Sequence, residues 1–217
     1  MNSRDAERLS LTEAVYRVAD ELRSQACQGL RFTALEYDRE QYERILQASA
    51  RLVAAVEQRS PQEVVVQFRD NLSHISPFLG ADAAVFRAER LLLIQRQDNH
   101  RWAMPGGLVE VGETLAEACE RELQEEALIR GKAVRLLGIF DSRRWKSHTK
   151  AQLYHVIFQV ENDGGQPAAG SEALDAGFFA EDGLPPLSPG HERIIPVIFK
   201  LYRGELPSPY FDETGAK

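Results

Sequence analysis

The run RWAMPGGLVEVGETLAEACERELQEEALI, Arg101 to Ile129, restricts this chain more than any other stretch, because it joins a glycine turn to a helix whose charges are hard to place. In Met104-Pro105-Gly106-Gly107 the proline fixes one φ. The paired glycines allow either a positive φ or a backbone approach that a Cβ would block. Gly112, Glu113 and Thr114 suit a helix entry, and Leu115 to Ala127 is an unbroken run of good helix formers. At about 100° per residue, Leu115, Ala118 and Cys119 share one stripe with Glu122 and Glu126, and Glu125 lies at its edge. Glu122 is three and four positions from Glu125 and Glu126, spacings at which like charges weaken a helix by roughly tenths of a kcal/mol per pair. Arg121, four positions before Glu125, offsets part of this.

Two arrangements accommodate such a helix. Its acidic face can be solvated, or the carboxylates can surround a hard divalent cation, which takes oxygen ligands, water and commonly a substrate phosphate. The glutamates continue an apolar stripe beyond a glycine turn, which favours the cation. Gly107, Glu113, Arg121, Glu122, Leu123, Glu125, Glu126 and Ile129 stand at the spacing Gly-x5-Glu-x7-Arg-Glu-U-x-Glu-Glu-x-Gly-U, with U aliphatic. The stretch therefore resembles the Nudix box, departing from it only at Leu128, which replaces the last glycine.

The resemblance implies an α/β fold, a Nudix-type α/β/α sandwich with a mixed sheet. It also implies a hydrolase, dependent on Mg²⁺ or Mn²⁺, that cleaves a nucleoside diphosphate linked to another moiety. Glu122, Glu125 and Glu126 would bind metal, with the Gly107 carbonyl as a further ligand. Arg121, Glu113 and Gly106 would support the site. The base would be one of the box glutamates, Glu125 or Glu126, or Glu172, which stands in GSEALDAGFF where family members often place another glutamate. The alternative for Glu172 is a loop carboxylate in water.

Composition narrows the partners. With 217 residues, 43% hydrophobic and 27% charged, the chain can hold one full core and a small extra unit. A net charge of −7 and a pI near 5.4 argue against a broad basic surface for duplex DNA, so an anionic substrate needs a local cation. The two cysteines, Cys27 and Cys119, allow neither a disulfide framework nor a zinc set. The first residues, MNSRDAERLSLTEAVYR, contain no apolar run like a signal peptide or membrane span, so a cytoplasmic location is expected.

In chain order, Leu9 to Gln28 reads as a helix capped at Ser10 or Thr12 and stopped by Gly29. Asp38 and Gln41 suggest a capping box for a second helix reaching about Arg59. Residues 1–60 would form a helical hairpin too small to bury its own apolar faces. Within it, QACQGLRFTALEYDREQYERI, Gln25 to Ile45, resembles the N-terminal unit of a bacterial Nudix subfamily that includes CDP-choline pyrophosphatases, which implies a homodimer. Residues 61–206 would form the main domain. Val64–Phe68, Ala83–Gln95 with a turn at 87–90, Ala133–Asp141, Gln152–Glu161 and Gly177–Ala180 read as strands. Ser188-Pro189 suggests an N-cap and first-turn proline for a last helix to Arg203, bent at Pro196 and stopped by Gly204. Residues 207–217 would fray.

Substrate selection is expected in DSRRWKSHTKAQ, Asp141 to Gln152. Arg143, Arg144 and Lys146 could meet phosphate, and Trp145 could stack on a base or face a quaternary ammonium; a solvated basic loop is the other reading. His148 and His155 are read as structural. Relatives acting on ADP-ribose carry a proline, and those acting on diadenosine polyphosphates a tyrosine, about sixteen residues after the box, where this chain has Trp145. CDP-choline is the substrate these features suggest. ADP-ribose or another nucleotide, and a non-enzymatic nucleotide-sensing module, are the alternatives.

Overall fold

The computed structural model describes residues 10–72, 76–147 and 151–214. The chain forms two compact units, the first ending at Pro77 and the second beginning at Phe78.

The first unit is three helices, α1 (Leu11–Phe32), α2 (Glu36–Glu57) and α3 (Pro61–Arg69). Ser10 caps α1 in a reciprocal box with Glu13. The expected stop at Gly29 is not used. A Cβ there would overlap the Tyr42 ring, so this glycine lets α1 and α2 cross closely rather than ending a helix. The Asp38 capping box does not form either: α2 begins at Glu36, and Asp38 lies inside its first turn, where its charge suits the helix dipole.

Val64–Phe68 is helix, not strand. Ser60-Pro61 places a proline at the start of α3, and Val64 and Phe68, one turn apart, are buried while Val66 is exposed. Both join the core formed by Ala26, Cys27, Leu30, Leu46, Ala50 and Ala54. The helical unit therefore runs to Pro77 rather than to residue 60, because the hairpin needs a third helix to close its apolar face.

The second unit is built on strands β1 (Phe78–Arg87), β2 (Arg90–Arg96), β3 (Trp102–Ala103), β4 (Gly106–Leu108), β5 (Gly131–Asp141), β6 (Leu153–Asn162), β7 (Ala173–Phe179) and β8 (Tyr210–Phe211), with helices α4 (Leu115–Ala127) and α5 (His191–Tyr202). The sheet order is β3-β2-β1-β6-β5-β8, with β4 also on β1 and β7 also on β2. The β1–β6 and β5–β8 pairs are parallel, and the other pairs antiparallel, so the sheet is mixed. Alternation along β1 separates two cores: Ala81, Ala83 and Val85 face Ala118, Cys119 and Leu123 of α4, while Ala84 belongs with Ile194, Ile198 and Phe199 of α5. That is the expected sandwich.

Two expectations for the C-terminal segment are corrected. Gly190, not Ser188, precedes α5, whose first residue is His191, and Ser188 instead packs its N–H onto the Trp102 carbonyl at 2.8 Å. The tail does not fray up to Thr214. Tyr210 and Phe211 add a strand to β5, and Tyr210 stacks on Phe140, so apolar contact and ladder hydrogen bonds hold what composition alone marks as loose.

Candidate active site

Thr114 caps α4 with Glu117 in a reciprocal box, which fixes the helix relative to the turn before it. Gly106 and Gly107 sit in β4, paired with Asp82 and Ala81 of β1. Neither has a positive φ. Their role is close approach: a Cβ on Gly107 would overlap the Glu122 carboxylate, and one on Gly106 would overlap that of Asp82. The glycine turn thus lets α4 carboxylates lie directly on backbone.

Glu122 and Glu126 are buried, 9% and 7% exposed, whereas Glu125 is exposed. The Gly106 N–H donates to Glu126 Oε2 at 2.8 Å. Burial, with the Glu122 charge added, nonetheless pushes the Glu126 carboxyl up to about 7. Burial likewise raises Glu122, against the opposing pull of Arg121.

Arg121 binds Glu113 (2.7 Å), Glu122 (2.8 Å), Glu125 (3.0 Å) and the Leu108 carbonyl (3.2 Å). Glu113 also accepts the Glu110 N–H at 3.0 Å, closing the loop between β4 and α4. Arg121 is therefore occupied in organising carboxylates.

At the C-terminal end of α4, Leu128 takes the left-handed conformation, φ 54° and ψ 27°. This is the geometry a glycine would adopt there, so the missing box glycine changes the cost of the turn and not its shape. The Gly170 and Ala168 N–H groups donate to the Glu126 and Ala127 carbonyls at 3.0 and 3.1 Å. This docking brings the 168–172 segment, and with it Glu172, to the helix end.

A cleft of about 750 Å³ results, lined by Gly106, Gly107, Glu122, Glu125, Glu126, Glu172 and Arg121, and also by Arg96, Gln97, Asp98, Leu108 and Glu110. Among the described residues no group of three or more acidic, histidine or cysteine side chains is placed to hold a metal ion. The two buried carboxylates with raised pKa values, one laid on the Gly107 backbone, are the observation that fits a divalent cation.

Arg96, Asp98 and Asp82 belong to no motif in the sequence. Arg96 Nε and Nη2 each meet an Asp98 oxygen at 2.9 Å. The available signal was a lone acid inside the apolar strand FLGADAAVF and an arginine ending the next strand.

The four residues expected to meet substrate stand apart from this cleft. Arg143, Arg144, Trp145 and Lys146 are not among the described residues that line the cleft. Trp145 packs edge-on against Phe140 and Tyr210, and its indole N–H donates to Asp212 at 2.9 Å. Asp212 also accepts the Asp141 N–H, and Arg144 reaches the Glu213 carbonyl, both at 2.8 Å. The tail thus engages the indole of Trp145, the ring the sequence offers for stacking or cation–π contact. His155 pairs with buried Asp82, and His148 lies outside the described residues.

Comparison with known proteins matches residues 77–198 to the model described as the NUDIX domain, and residues 13–68 to one described as the UDP-X-like, N-terminal oligomerisation domain. The YjhB protein of Bacillus subtilis strain 168 is 33% identical over 172 residues, 79% of this chain and 83% of its own. An ADP-ribose pyrophosphatase of Methanocaldococcus jannaschii is 34% identical over 125 residues, covering 56% of this chain and 73% of that protein. Among solved structures, a UDP-X diphosphatase superposes with a TM-score of 0.59 at 27% identity, over 93% of this chain and 99% of its own. An ADP-ribose pyrophosphatase of Streptococcus suis gives 0.54 at 28% identity, over 63% and 100%.

Proposed function

This chain belongs to the Nudix family of hydrolases, and from that premise we propose that it cleaves the diphosphate of a nucleoside diphosphate linked to a second moiety, releasing two monophosphates. The observation that carries the reading is the pair of buried carboxylates, Glu122 and Glu126, laid against the glycine turn. Glu122, Glu126, Glu125 and the Gly107 carbonyl would hold Mg²⁺ or Mn²⁺. Bound there, the ion would neutralise phosphate charge and lower the pKa of a coordinated water.

The protein's own groups supply the rest. Gly106 N–H orients Glu126, and Arg121 holds Glu122 and Glu125 so that little reorganisation is needed when substrate arrives. Glu125 and Glu172 stand at the cleft on the solvent side and can accept a proton from the attacking water. Arg96, braced by Asp98, presents a guanidinium to the same cleft for the phosphate distal to the carboxylates.

Similarity across both units to a protein named for UDP-X supports a diphosphate flanked by two groups. ADP-ribose is the second reading, favoured by the names of two relatives. CDP-choline loses the support drawn from Trp145, whose indole is packed against the tail. The helical unit, matched to an oligomerisation domain, supports a homodimer; a monomeric mass at micromolar concentration would refute it.

The test is Mg²⁺-dependent hydrolysis of a panel containing a UDP-sugar, ADP-ribose, CDP-choline and a free nucleoside triphosphate, with Glu126→Gln as control. Preference for one of the first three, lost in the variant, supports the reading. Preference for the triphosphate overturns it.

A further inference from the structure

The α5 face of the sheet is lined by apolar residues such as Ala84, Met104, Phe140, Ile157 and Ile194. Against this background three titratable side chains, Asp82, His155 and His191, are buried. An unpaired carboxylate in such surroundings costs several kcal/mol. Asp82 Oδ2 lies 2.9 Å from His155 Nδ1, on strands that run parallel side by side. Burial pulls the His155 imidazole down, but the Asp82 charge and hydrogen bond outweigh it and leave the ring above its ordinary value. His191, whose ring lies 6.0 Å away, is held down to about 4 by burial and so stays neutral.

The other Asp82 oxygen faces Gly106. A Cβ on that glycine would overlap it, and would stand 2.8 Å from the Asp82 Cα. On either side of this contact the Ala83 N–H donates to the Pro105 carbonyl at 2.8 Å, and the Gly106 N–H donates to Glu126 at 2.8 Å. One glycine therefore lies between two carboxylates, Asp82 from the α5 face and Glu126 from the α4 face. A buried ion pair is seldom a net source of stability, since apolar replacements are often neutral or stabilising.

We propose that Asp82 and His155 are a positioning pair for hydrolysis: together they set Gly106 against Glu126, and so fix that carboxylate and the adjoining Gly107 carbonyl for metal binding. The pair acts through the glycine turn and touches neither metal nor substrate. The inference rests on the metal-dependent reading above.

The test measures Mg²⁺ affinity by calorimetry alongside kcat, KM and Tm. Wild-type protein that binds no Mg²⁺ and turns over no panel member defeats the functional reading itself, whatever the pair does. Given a working wild type, His155→Leu and Asp82→Asn are each expected to weaken Mg²⁺ binding about tenfold and to lower kcat about 10- to 100-fold, with nucleotide KM within about twofold. His155→Gln, which keeps a donor toward Asp82, should recover most of the loss. The double change Asp82→Val with His155→Leu replaces the pair by apolar groups; it should match or exceed the wild-type Tm while keeping the defects in Mg²⁺ affinity and kcat. Normal Mg²⁺ affinity and kcat in that variant, or in both single variants, would overturn the proposal and leave a structural role. If the variants do not fold, ¹⁵N-histidine spectra of the wild-type protein decide: the His155 ring signals should move on adding Mg²⁺, and fixed signals would refute the coupling.

Discussion

Two helices in this protein are rich in glutamate, and they use it in opposite ways. On α2, Glu36, Glu40 and Glu43 are interleaved with Arg39 and Arg44 around an open hollow of about 660 Å³, with Arg69 of α3 bound to Glu43 at 2.8 Å. Glu36 and Glu40 there are exposed. On α4, Glu122 and Glu126 are buried against glycine backbone, and burial raises both carboxyls. Both helices repeat acids at one-turn spacing, so the count of carboxylates does not distinguish them. What does is the neighbour: arginine and water on α2, a Cβ-free turn on α4. A carboxylate becomes chemically useful where desolvation leaves its charge in want of a cation.

The largest expected consequence separates the helices outright. Glu126→Gln should lower kcat about a hundredfold or more with the fold intact, because it removes a proposed metal ligand. Glu40→Gln should leave kcat within about twofold. Steady-state kinetics with thermal melts of both variants checks this, and a Glu126→Gln protein melting far below wild type would make that residue structural instead.

Next comes the link between stability, pH and metal. Glu126 has an ordinary value of 4.5 and a folded value of about 7, so the folded protein holds its proton more tightly than the unfolded chain. Its contribution to stability is present below pH 4.5 and is lost as pH rises through about 7, a change of up to about 3 kcal/mol. His191 works the other way: held down to about 4 when folded, it costs stability as pH falls from 6.5 toward 4. Mg²⁺ should offset the Glu126 loss, so the rise in Tm on adding Mg²⁺ should be larger at pH 8 than at pH 5. Equal rises would show that Glu126 does not bind the ion.

A narrower test addresses the neighbour itself. Gly107→Ala places a methyl against the Glu122 carboxylate and should reduce kcat about 10- to 100-fold, with a loss of about 1 to 3 kcal/mol in stability. Gly29→Ala, which meets the Tyr42 ring in the helical unit, should cost stability without touching kcat per folded molecule. Kinetics normalised to folded protein distinguishes the two.

The smallest effect is one the helices share. Both end on a non-glycine residue in the left-handed region, Gln58 after α2 and Leu128 after α4, each with φ 54°. Gln58→Gly and Leu128→Gly should each stabilise by up to about 1 kcal/mol, and neither should alter kcat. Denaturant midpoints would detect the gain. A fall in kcat for Leu128→Gly would show that the strained turn serves the site.

Much of the site was legible because α4 is a local object. Helical spacing places Glu122 and Glu126 on the apolar stripe, and the glycine pair marks a close approach, whatever the rest of the chain does. The readings that failed depended on partners distant in sequence. Val64–Phe68 has the composition of a strand, but Pro61 opens a helix there and burial of Val64 and Phe68 beside Leu46 and Ala50 holds it. Trp145 looked ligand-facing until Asp212, 67 residues later, took its indole N–H. Gly29 looked like a helix stop until Tyr42 filled the space beside it.

The sequence by itself determined the family, the acidic helix and the turn that serves it, because each is encoded within a span of some thirty residues by periodicity, capping and glycine placement. Only the tertiary structure decided which side chains stand around that turn. Arg96 joins the glycine turn in one cleft, Asp82 meets that turn across β1 and β4, His155 meets Asp82 across β1 and β6, and the tail claims Trp145 through β8. Register between strands joins residues that no local pattern relates, so contacts of that kind are fixed by packing and hydrogen bonding across the sheet, not by spacing along the chain.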